Sequence, residues 1–214
     1  MFRTIAVIGA CTVATAAYYA SQLMRYSSEE EKKRSIFGKS INWKSLAFTA
    51  VDDRVRGGRS QSHLTVNREG TAAVFHGHLD YTALGGAGFA SQFYSKPGSP
   101  YNLREFQGLC IETEDGDGKT YAINLKTEHS PKRPDNRNAS VVEYKYLFTP
   151  GPERQTFFAP FEEFKPYYRG RMLDEDRLVD KSDIKSVSLM ASSFFAKQGG
   201  DFSVTFVSVS AYKN

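Results

Sequence analysis

Two clusters in the sequence combine charged, glycine and aromatic residues, and they are the strongest candidates for a functional surface. The first, residues 51–64 (VDDRVRGGRSQSHL), contains paired carboxylates, arginines and a Gly-Gly pair before a predicted strand. The second, residues 157–171 (FFAPFEEFKPYYRGR), spaces phenylalanines three residues apart and ends in Arg-Gly-Arg. Arg, Tyr and Phe are enriched in protein interfaces, and a Gly pair permits close backbone approach. We therefore predict a partner-binding surface that includes Asp53, Arg56, Gly57, Gly58, Ser60, Phe161, Phe164, Arg169, Gly170 and Arg171.

Catalytic and metal-binding groups occur only in incomplete sets. His76 and His78 share one face of a predicted strand, but two imidazoles without a cysteine or carboxylate partner do not complete a metal site. The Asp-Gly-Asp-Gly segment at 115–118 is followed by Lys119 at the next ligand position of a calcium loop, and no glutamate closes it. Residues 84–89 (LGGAGF) lack the Lys-Ser/Thr of a phosphate-binding loop. The sequence therefore predicts no resident metal, no cofactor and no enzymatic activity.

The net charge of +4 is unevenly distributed along the 214 residues. Residues 1–40 contain six Lys/Arg and three Glu, whereas residues 41–214 contain 22 Lys/Arg and 21 Asp/Glu. The body of the chain is therefore almost neutral. Nucleic-acid binding requires a concentrated positive surface, so nucleic acid is not a predicted partner. The only two cysteines, Cys11 and Cys110, exclude a disulfide scaffold.

The first 24 residues have the composition of a targeting or membrane segment. Residues 5–24 carry no charge, and a helix of this length spans about 30 Å, the thickness of a bilayer core. A cleaved secretory peptide and a cleaved mitochondrial presequence are alternatives that the tyrosines and the lack of an Arg-rich amphipathic pattern fit poorly. We predict a retained hydrophobic helix over 1–24 and a charged spacer over 25–40. The basic flank after the helix resembles mitochondrial signal anchors and favours a domain on the cytosolic or matrix side.

The remaining chain, residues 41–214, is predicted to form short β-strands. Leu109 and Ile111 share one face of a strand, Tyr121 and Ile123 share one face of the next, and the Asp-Gly pairs between them predict a hairpin turn. Other segments with period-two alternation are residues 62–67, 71–79, 88–94, 142–148, 154–159, 184–191 and 202–206. About nine strands without a long helical period indicate an all-β domain, a jelly-roll β-sandwich.

Several motifs, in this order, resemble the complex I intermediate-associated protein 30 (CIA30) family. They are DDRVRGGRSQSHL, FHGHLDYTALGGAGFASQFY, FQGLCIETEDGDGKTYAINLKT, APFEEFKPYYRGRMLDEDRLVDKSDIKSVSLM and GDFSVTFVSVSAY, and they extend over residues 43–212. The block PF-x-x-F-x-P-x-x-RGR is a specific one. The family's opening motif resembles D-G-V-M-G-G, and Arg54 and Arg56 replace its small and apolar positions here.

The resemblance implies a galactose-binding-domain-like jelly roll and a role in assembling mitochondrial respiratory complex I. We therefore predict a non-enzymatic assembly factor or chaperone that binds protein intermediates of the complex and is associated with the mitochondrial membrane through residues 5–24. One alternative is a protein-interaction module with another client. Another is a carbohydrate-binding module that uses Tyr94, Tyr101, Tyr167 and Tyr168. A purely structural role for the two clusters, as core aromatics and paired arginines, is the third.

Overall fold

The computed structural model describes residues 32–96, 98–132, 134 and 139–213, and their strands form two antiparallel sheets packed face to face. The hydrophobic helix predicted over residues 1–24 lies outside these ranges. Within them, no helix combines the length and apolar character needed to cross a bilayer. The all-β sandwich predicted from the alternating pattern is confirmed.

Thirteen strands occur in the described part of the chain. They are β1 (Lys33–Phe37), β2 (Thr49–Ala50), β3 (Gln61–Val66), β4 (Ala73–Leu79), β5 (Phe89–Ser95), β6 (Gly108–Glu114), β7 (Tyr121–Lys126), β8 (Glu143–Phe148), β9 (Gln155–Pro160), β10 (Lys165–Tyr168), β11 (Arg171–Met172), β12 (Ser186–Ser192) and β13 (Gly200–Tyr212). One sheet has six strands in the order β3-β4-β13-β6-β9, with β1 also paired to β13. The other has seven, in the order β11-β10-β8-β7-β12-β5-β2.

The core lies between the two sheets and is filled by the apolar residues of each alternating strand. Val204 of β13 lies opposite Phe75 of β4, and Leu189 of β12 lies opposite Ile123 of β7. All four side chains are buried. Because successive side chains of a strand point to opposite faces, their neighbours in sequence point away from the core. Burial of each such side chain contributes about 1.5–3 kcal/mol.

The predicted hairpin between β6 and β7 is wrong, although both strands exist. β6 pairs with β13 and β9, whereas β7 pairs with β12 and β8, so the turn at 115–118 carries the chain from one sheet to the other. Its amides bond to the neighbouring crossing between β8 and β9: Gly116 N donates to Gly151 O, and Gly118 N donates to Pro150 O. A Cβ at Gly116 would lie 2.5 Å from Pro150 O. The two crossings therefore stack on each other.

The spacer predicted over residues 25–40 differs from the structure at its C-terminal end. Residues 33–37 form β1, which pairs with β13, and both Ile36 and Phe37 are buried. A register shift between Ser35 and Phe37 interrupts the ladder. A bulge lets two consecutive residues face the core, which removes the alternation that identifies a strand in sequence.

Candidate functional site

A cleft of about 460 Å³ lies over the outer face of the seven-stranded sheet. Its floor consists of side chains that alternate with the core residues of β5, β8, β10 and β12, among them Ser188 and Met190 on either side of buried Leu189. Its walls are segments at 51–56, 87–89, 140–141, 169–170 and 193–197. The two sequence clusters therefore contribute to one site, from opposite parts of the chain.

The first wall is held by the buried carboxylate of Asp53. Ser60 donates to it from its backbone N–H (2.9 Å) and from its hydroxyl (2.6 Å), and the N–H of Phe89 donates at 3.1 Å. A Cβ at Gly58 would lie 2.2 Å from the same carboxylate, so glycine is required there. Gly57 ends the 3₁₀ helix Asp53–Arg56 with φ of 91°, a conformation that favours glycine.

The neighbouring carboxylate, Asp52, makes an equivalent set of bonds. It accepts the hydroxyl of Ser62 at 2.6 Å, the N–H of Ser62 at 3.1 Å and the N–H of Ser91 at 3.0 Å. Ser62 belongs to β3 and Ser91 to β5, which lie in different sheets. The Asp-Asp pair therefore joins the two sheets at one edge of the sandwich. Among the predicted contact residues of this cluster, Asp53 and Ser60 are buried and position the loop.

Arg56 is the charged residue of this cluster that lines the cleft, together with apolar Val51. Its guanidinium lies 5.5 Å from the ring centroid of Phe89, within the range of a cation–π contact. The side chain is exposed and lines the cleft. The buried carboxylates fix the backbone from which this arginine extends.

The phenylalanines of the second cluster belong to the core. Phe161 and Phe164 are only 5% and 1% exposed, and their ring centroids lie 5.9 Å apart. The 3₁₀ helix Phe161–Glu163 turns both side chains inward. Neither ring is therefore available to a partner. This agrees with the structural alternative, in which the aromatic residues of this cluster form part of the core.

The arginines of the second cluster are exposed. Arg169 has φ of 52°, and its guanidinium lies 5.3 Å from the ring centroid of Tyr168. Arg169 and Gly170 line the cleft, and Arg171 lies beyond them on the short edge strand β11. Pairing of these arginines with the nearby acidic residues, the structural alternative for this segment, does not occur among the described residues.

A further wall, at residues 193–197, has no signal in the sequence analysis. Phe194, Phe195 and Ala196 all have positive φ, which costs about 1–2 kcal/mol for each non-glycine residue. Buried Ser193 supports the loop: its hydroxyl donates to Gly86 O and accepts the N–H of Gly88. The Gly-rich segment at 84–89 therefore supplies the backbone groups that hold this loop in place. The side chain of Phe195 is 61% exposed at the cleft.

The cleft floor carries a buried cation. The ammonium of Lys145 lies 4.9 Å from the ring centroid of Tyr167, 3.5 Å from a carboxylate oxygen of Glu143 and 3.4 Å from the sulfur of Met190. Burial raises the pKa of Tyr167 because the phenolate would lose solvation. Asn124 lies opposite Lys145 on the neighbouring strand and is buried, and its Oδ1 atom accepts no hydrogen bond from any described residue.

The histidines considered as metal ligands lie on the outer face of the other sheet. His76 bonds to the hydroxyl of Thr65 at 2.8 Å, and its ring centroid lies 5.5 Å from that of His63. His78 Nδ1 lies 2.7 Å from Asp201. Across the described residues, no three or more His, Cys, Asp or Glu side chains are grouped as a metal site requires.

The tyrosines proposed for the carbohydrate-binding alternative separate into two groups. Tyr94 and Tyr101 are buried in the core, at 8% and 5% exposure, so they cannot form a surface platform. Tyr167 lines the cleft, and Tyr168 is exposed beside it. The other cleft aromatics, Phe89, Phe93, Phe194 and Phe195, were not predicted from the sequence. For Phe89 and Phe93 the reason is that alternation with core residues does not distinguish an open outer face from a covered one.

Comparison with solved structures supports the jelly-roll fold. The family 11 carbohydrate-binding module of the cellulosomal cellulase Lic26A-Cel5E of Clostridium thermocellum has a TM-score of 0.55 and 13% identity, covering 85% of this chain and 95% of that chain. The family 11 module from the same organism in complex with a β-1,3-1,4-mixed-linked tetrasaccharide has a TM-score of 0.50 and 15% identity, covering 85% and 94%. At these identities the likeness concerns the fold alone.

Sequence comparison is more specific. An uncharacterized protein of Schizosaccharomyces pombe is 40% identical over 181 residues, covering 82% of each chain. The model of the family described as complex I intermediate-associated protein 30 matches residues 37–206. That span includes strands β2 to β12, the first half of β13 and all the described residues that line the cleft. The chain therefore belongs to the complex I intermediate-associated protein 30 (CIA30) family.

Proposed function

We propose that this chain is a non-enzymatic assembly factor that binds unfinished intermediates of mitochondrial respiratory complex I (NADH dehydrogenase). The observation that carries the proposal is the family match over residues 37–206, because the family is described by its association with a complex I intermediate. That description names an assembling protein as the partner and favours binding over turnover. A protein client other than complex I is the alternative within the same class of function.

The cleft is the surface that we assign to the partner. It is lined by Arg56 from the first cluster and by Arg169 and Gly170 from the second, and the exposed ring of Phe195 stands beside them. Arginine and aromatic side chains in a partly enclosed pocket are typical anchors of protein interfaces. The walls are held by buried hydrogen bonds at Asp53 and Ser193, so the surface is formed before the partner arrives.

We also propose that residues 5–24 tether the domain to the mitochondrial membrane. This segment has no charged residue, and five Lys/Arg follow it within residues 25–40. A tether raises the effective concentration of the domain at the membrane, so a modest affinity for the intermediate is sufficient. Carbonate extraction of mitochondria that contain the full-length chain tests the tether, and release of the domain by carbonate would contradict it. Protease protection in intact and opened mitochondria shows on which side of the membrane the domain lies.

The assembly role is tested with the full-length chain in mitochondria that contain complex I. We expect a tagged chain to co-purify with complex I subunits in partial complexes, and we expect its deletion to lower the amount of mature complex on native gels. The double variant Arg56→Glu/Arg169→Glu should lose the partial complexes. The matched control, Arg68→Glu/Arg104→Glu, reverses two exposed arginines outside the cleft and should retain them. Normal complex I after deletion would contradict the role.

Carbohydrate binding is a second candidate, and the composition of the cleft favours it. Phe93 and Tyr167 are half-buried aromatic rings beside the hydroxyls of Ser188 and Ser192, a mixture suited to stacking and hydrogen bonding with a sugar. The mixed-linked tetrasaccharide seen with the structurally similar family 11 module is the probe to use. Saturable binding in calorimetry that is lost in Phe93→Ala and Tyr167→Ala would support this candidate.

A further inference from the structure

The cleft concentrates positive charge in a domain that is otherwise balanced. Residues 41–214 contain 22 Lys/Arg and 21 Asp/Glu, but the described residues that line the cleft include five cationic side chains and one carboxylate. The cations are Arg56, Lys126, Lys145, Arg169 and Lys197. A partly enclosed site lined by one sign of charge focuses the electrostatic potential and attracts groups of the opposite sign. We infer that the cleft binds an extended, acidic polypeptide segment of the partner.

Glu143, the one carboxylate among the described residues of the cleft, already forms an ion pair. Glu143 lies 3.5 Å from the ammonium of Lys145, whose side chain is only 5% exposed. The other four cations form no ion pair with any residue in the described part of the chain. No described residue therefore compensates their charge, and a ligand with several carboxylates supplies the missing counter-charges.

The distribution of the cations favours a polypeptide over a phosphate group. A compact phosphate is held by donors that converge on it, often backbone N–H groups at a helix terminus or in a glycine-rich loop. Here the five cations come from five separate segments of the chain. Three of the cations at the rim of the cleft lie over rings: Arg56 over Phe89, Lys126 over Phe93 and Arg169 over Tyr168. Charges spread among aromatic rings fit acidic side chains that are spaced along a chain and separated by apolar ones.

The inference rests on the proposed function, since it specifies the chemistry of the protein partner. Its test uses purified full-length chain and fluorescence anisotropy with defined probes. The first probe is a short labelled peptide in which Glu alternates with Ala and Phe. The second is the same peptide with every Glu replaced by Gln. The third and fourth are an unlabelled oligothymidine and the unlabelled mixed-linked tetrasaccharide, used as competitors of the labelled acidic peptide.

We expect saturable binding of the acidic peptide that weakens with added salt, and about tenfold weaker binding of the Gln peptide. Arg56→Glu and Arg169→Glu should each lower the affinity by about tenfold, because each reverses a charge at the rim. Glu143→Gln removes the carboxylate of the cleft and should raise the affinity about threefold. Arg68→Glu and Arg104→Glu should leave it unchanged. Unfolding curves of every variant separate loss of binding from loss of folding.

Three results would overturn the inference. These are equal binding of the Gln peptide, displacement of the acidic peptide by oligothymidine at a lower concentration than by unlabelled acidic peptide, and tetrasaccharide binding that the charge reversals do not affect.

The failure of the proposed function can be told apart from the failure of this inference. If the acidic peptide does not bind but partial complexes still co-purify with the wild-type chain, the assembly role stands and the acidic segment is wrong. If the peptide binds and no complex I subunit co-purifies, the cleft chemistry stands and the client is wrong.

Discussion

The two sheets present different outer faces. On the six-stranded sheet, Glu112 lies 2.5 Å from the ammonium of Lys39 and 3.2 Å from the guanidinium of Arg154, so opposite charges meet at the surface. On the seven-stranded sheet, loops cover the face, and the polar side chains of Asn124 and Lys145 are buried beneath them. The first face is stabilised by ion pairs near the solvent, whereas the second has a buried ion pair between Lys145 and Glu143 and a buried hydrogen bond from Asn124 to Ser188.

The loops, more than the strands, make the outer face of the seven-stranded sheet, the covered face, into a site. The outer face of the six-stranded sheet is the open face. Strands of both sheets alternate apolar and polar residues in the same way. The covered face differs because residues 51–56, 87–89 and 193–197 form walls around it. Binding residues commonly lie on loops that a rigid scaffold positions. Substitutions that loosen these walls should therefore have larger effects than substitutions on the open face.

The largest effect is expected for Asp53→Ala on the covered side. The change leaves the buried N–H groups of Ser60 and Phe89 without an acceptor, so the free energy of unfolding should fall by about 3 kcal/mol. Asp201→Ala is the matched control on the open face, since the Asp201 side chain is 93% exposed, and its effect should stay within about 0.5 kcal/mol. Urea denaturation measures both. Equal effects would contradict the distinction between the two faces.

A smaller effect is expected for Ser193→Ala. The hydroxyl of Ser193 bonds to both Gly86 and Gly88, so its removal should lower the free energy of unfolding by about 1–2 kcal/mol. Amide hydrogen exchange over residues 194–197 should become faster at the same time, because the loop loses its support. Ser203→Ala on the open face is the control. Unchanged exchange in Ser193→Ala would mean that the loop is held by its other contacts.

The smallest effect concerns pH and the ion pairs of the open face. Burial alone would raise the pKa of Glu112, but hydrogen bonds from Lys39 and Arg154 outweigh it and hold the pKa below its ordinary value of 4.5. The carboxylate therefore adds stability that is fully present above that value and is lost as pH falls through the folded-state pKa.

Glu112→Gln should consequently be less stable than the wild type at neutral pH, by less than about 1 kcal/mol, and the difference should vanish in acid. Urea denaturation at several pH values measures it, with exposed Glu105→Gln as the control. High salt should reduce the difference as well, because the pairs are near solvent. A difference that grows on acidification would contradict the assignment of the lowered pKa to these ion pairs.

Local patterns predicted the strands well, since period-two alternation directly reflects burial on one face. Pairing could not be predicted in the same way. The Asp-Gly pairs at 115–118 favour a tight turn, but the amides of that turn bond to residues 150–151, which are distant in sequence. β1 was missed because its bulge places Ile36 and Phe37 inward together.

The candidate site was predicted only in part. Arg56 and Arg169 reach the cleft, whereas the neighbouring Phe161 and Phe164 turn into the core, and residue type alone does not separate these outcomes. Lys145 could not be recognised from the sequence as a cleft residue, because its position depends on how β8 pairs with β10. The residues at 194–196 adopt positive φ without glycine, so their conformation depends on tertiary contacts.

The ladder between β1 and β13 has a mechanical consequence for a tethered domain. Lys33 lies opposite Tyr212, and Lys213 N donates to Lys32 O, so the N-terminal segment joins the domain at the end of its longest strand. A pull along β1 would load its ladder hydrogen bonds in shear, all together and not one after another. The joint would thus resist force applied between the N-terminal segment and a partner held on the opposite sheet.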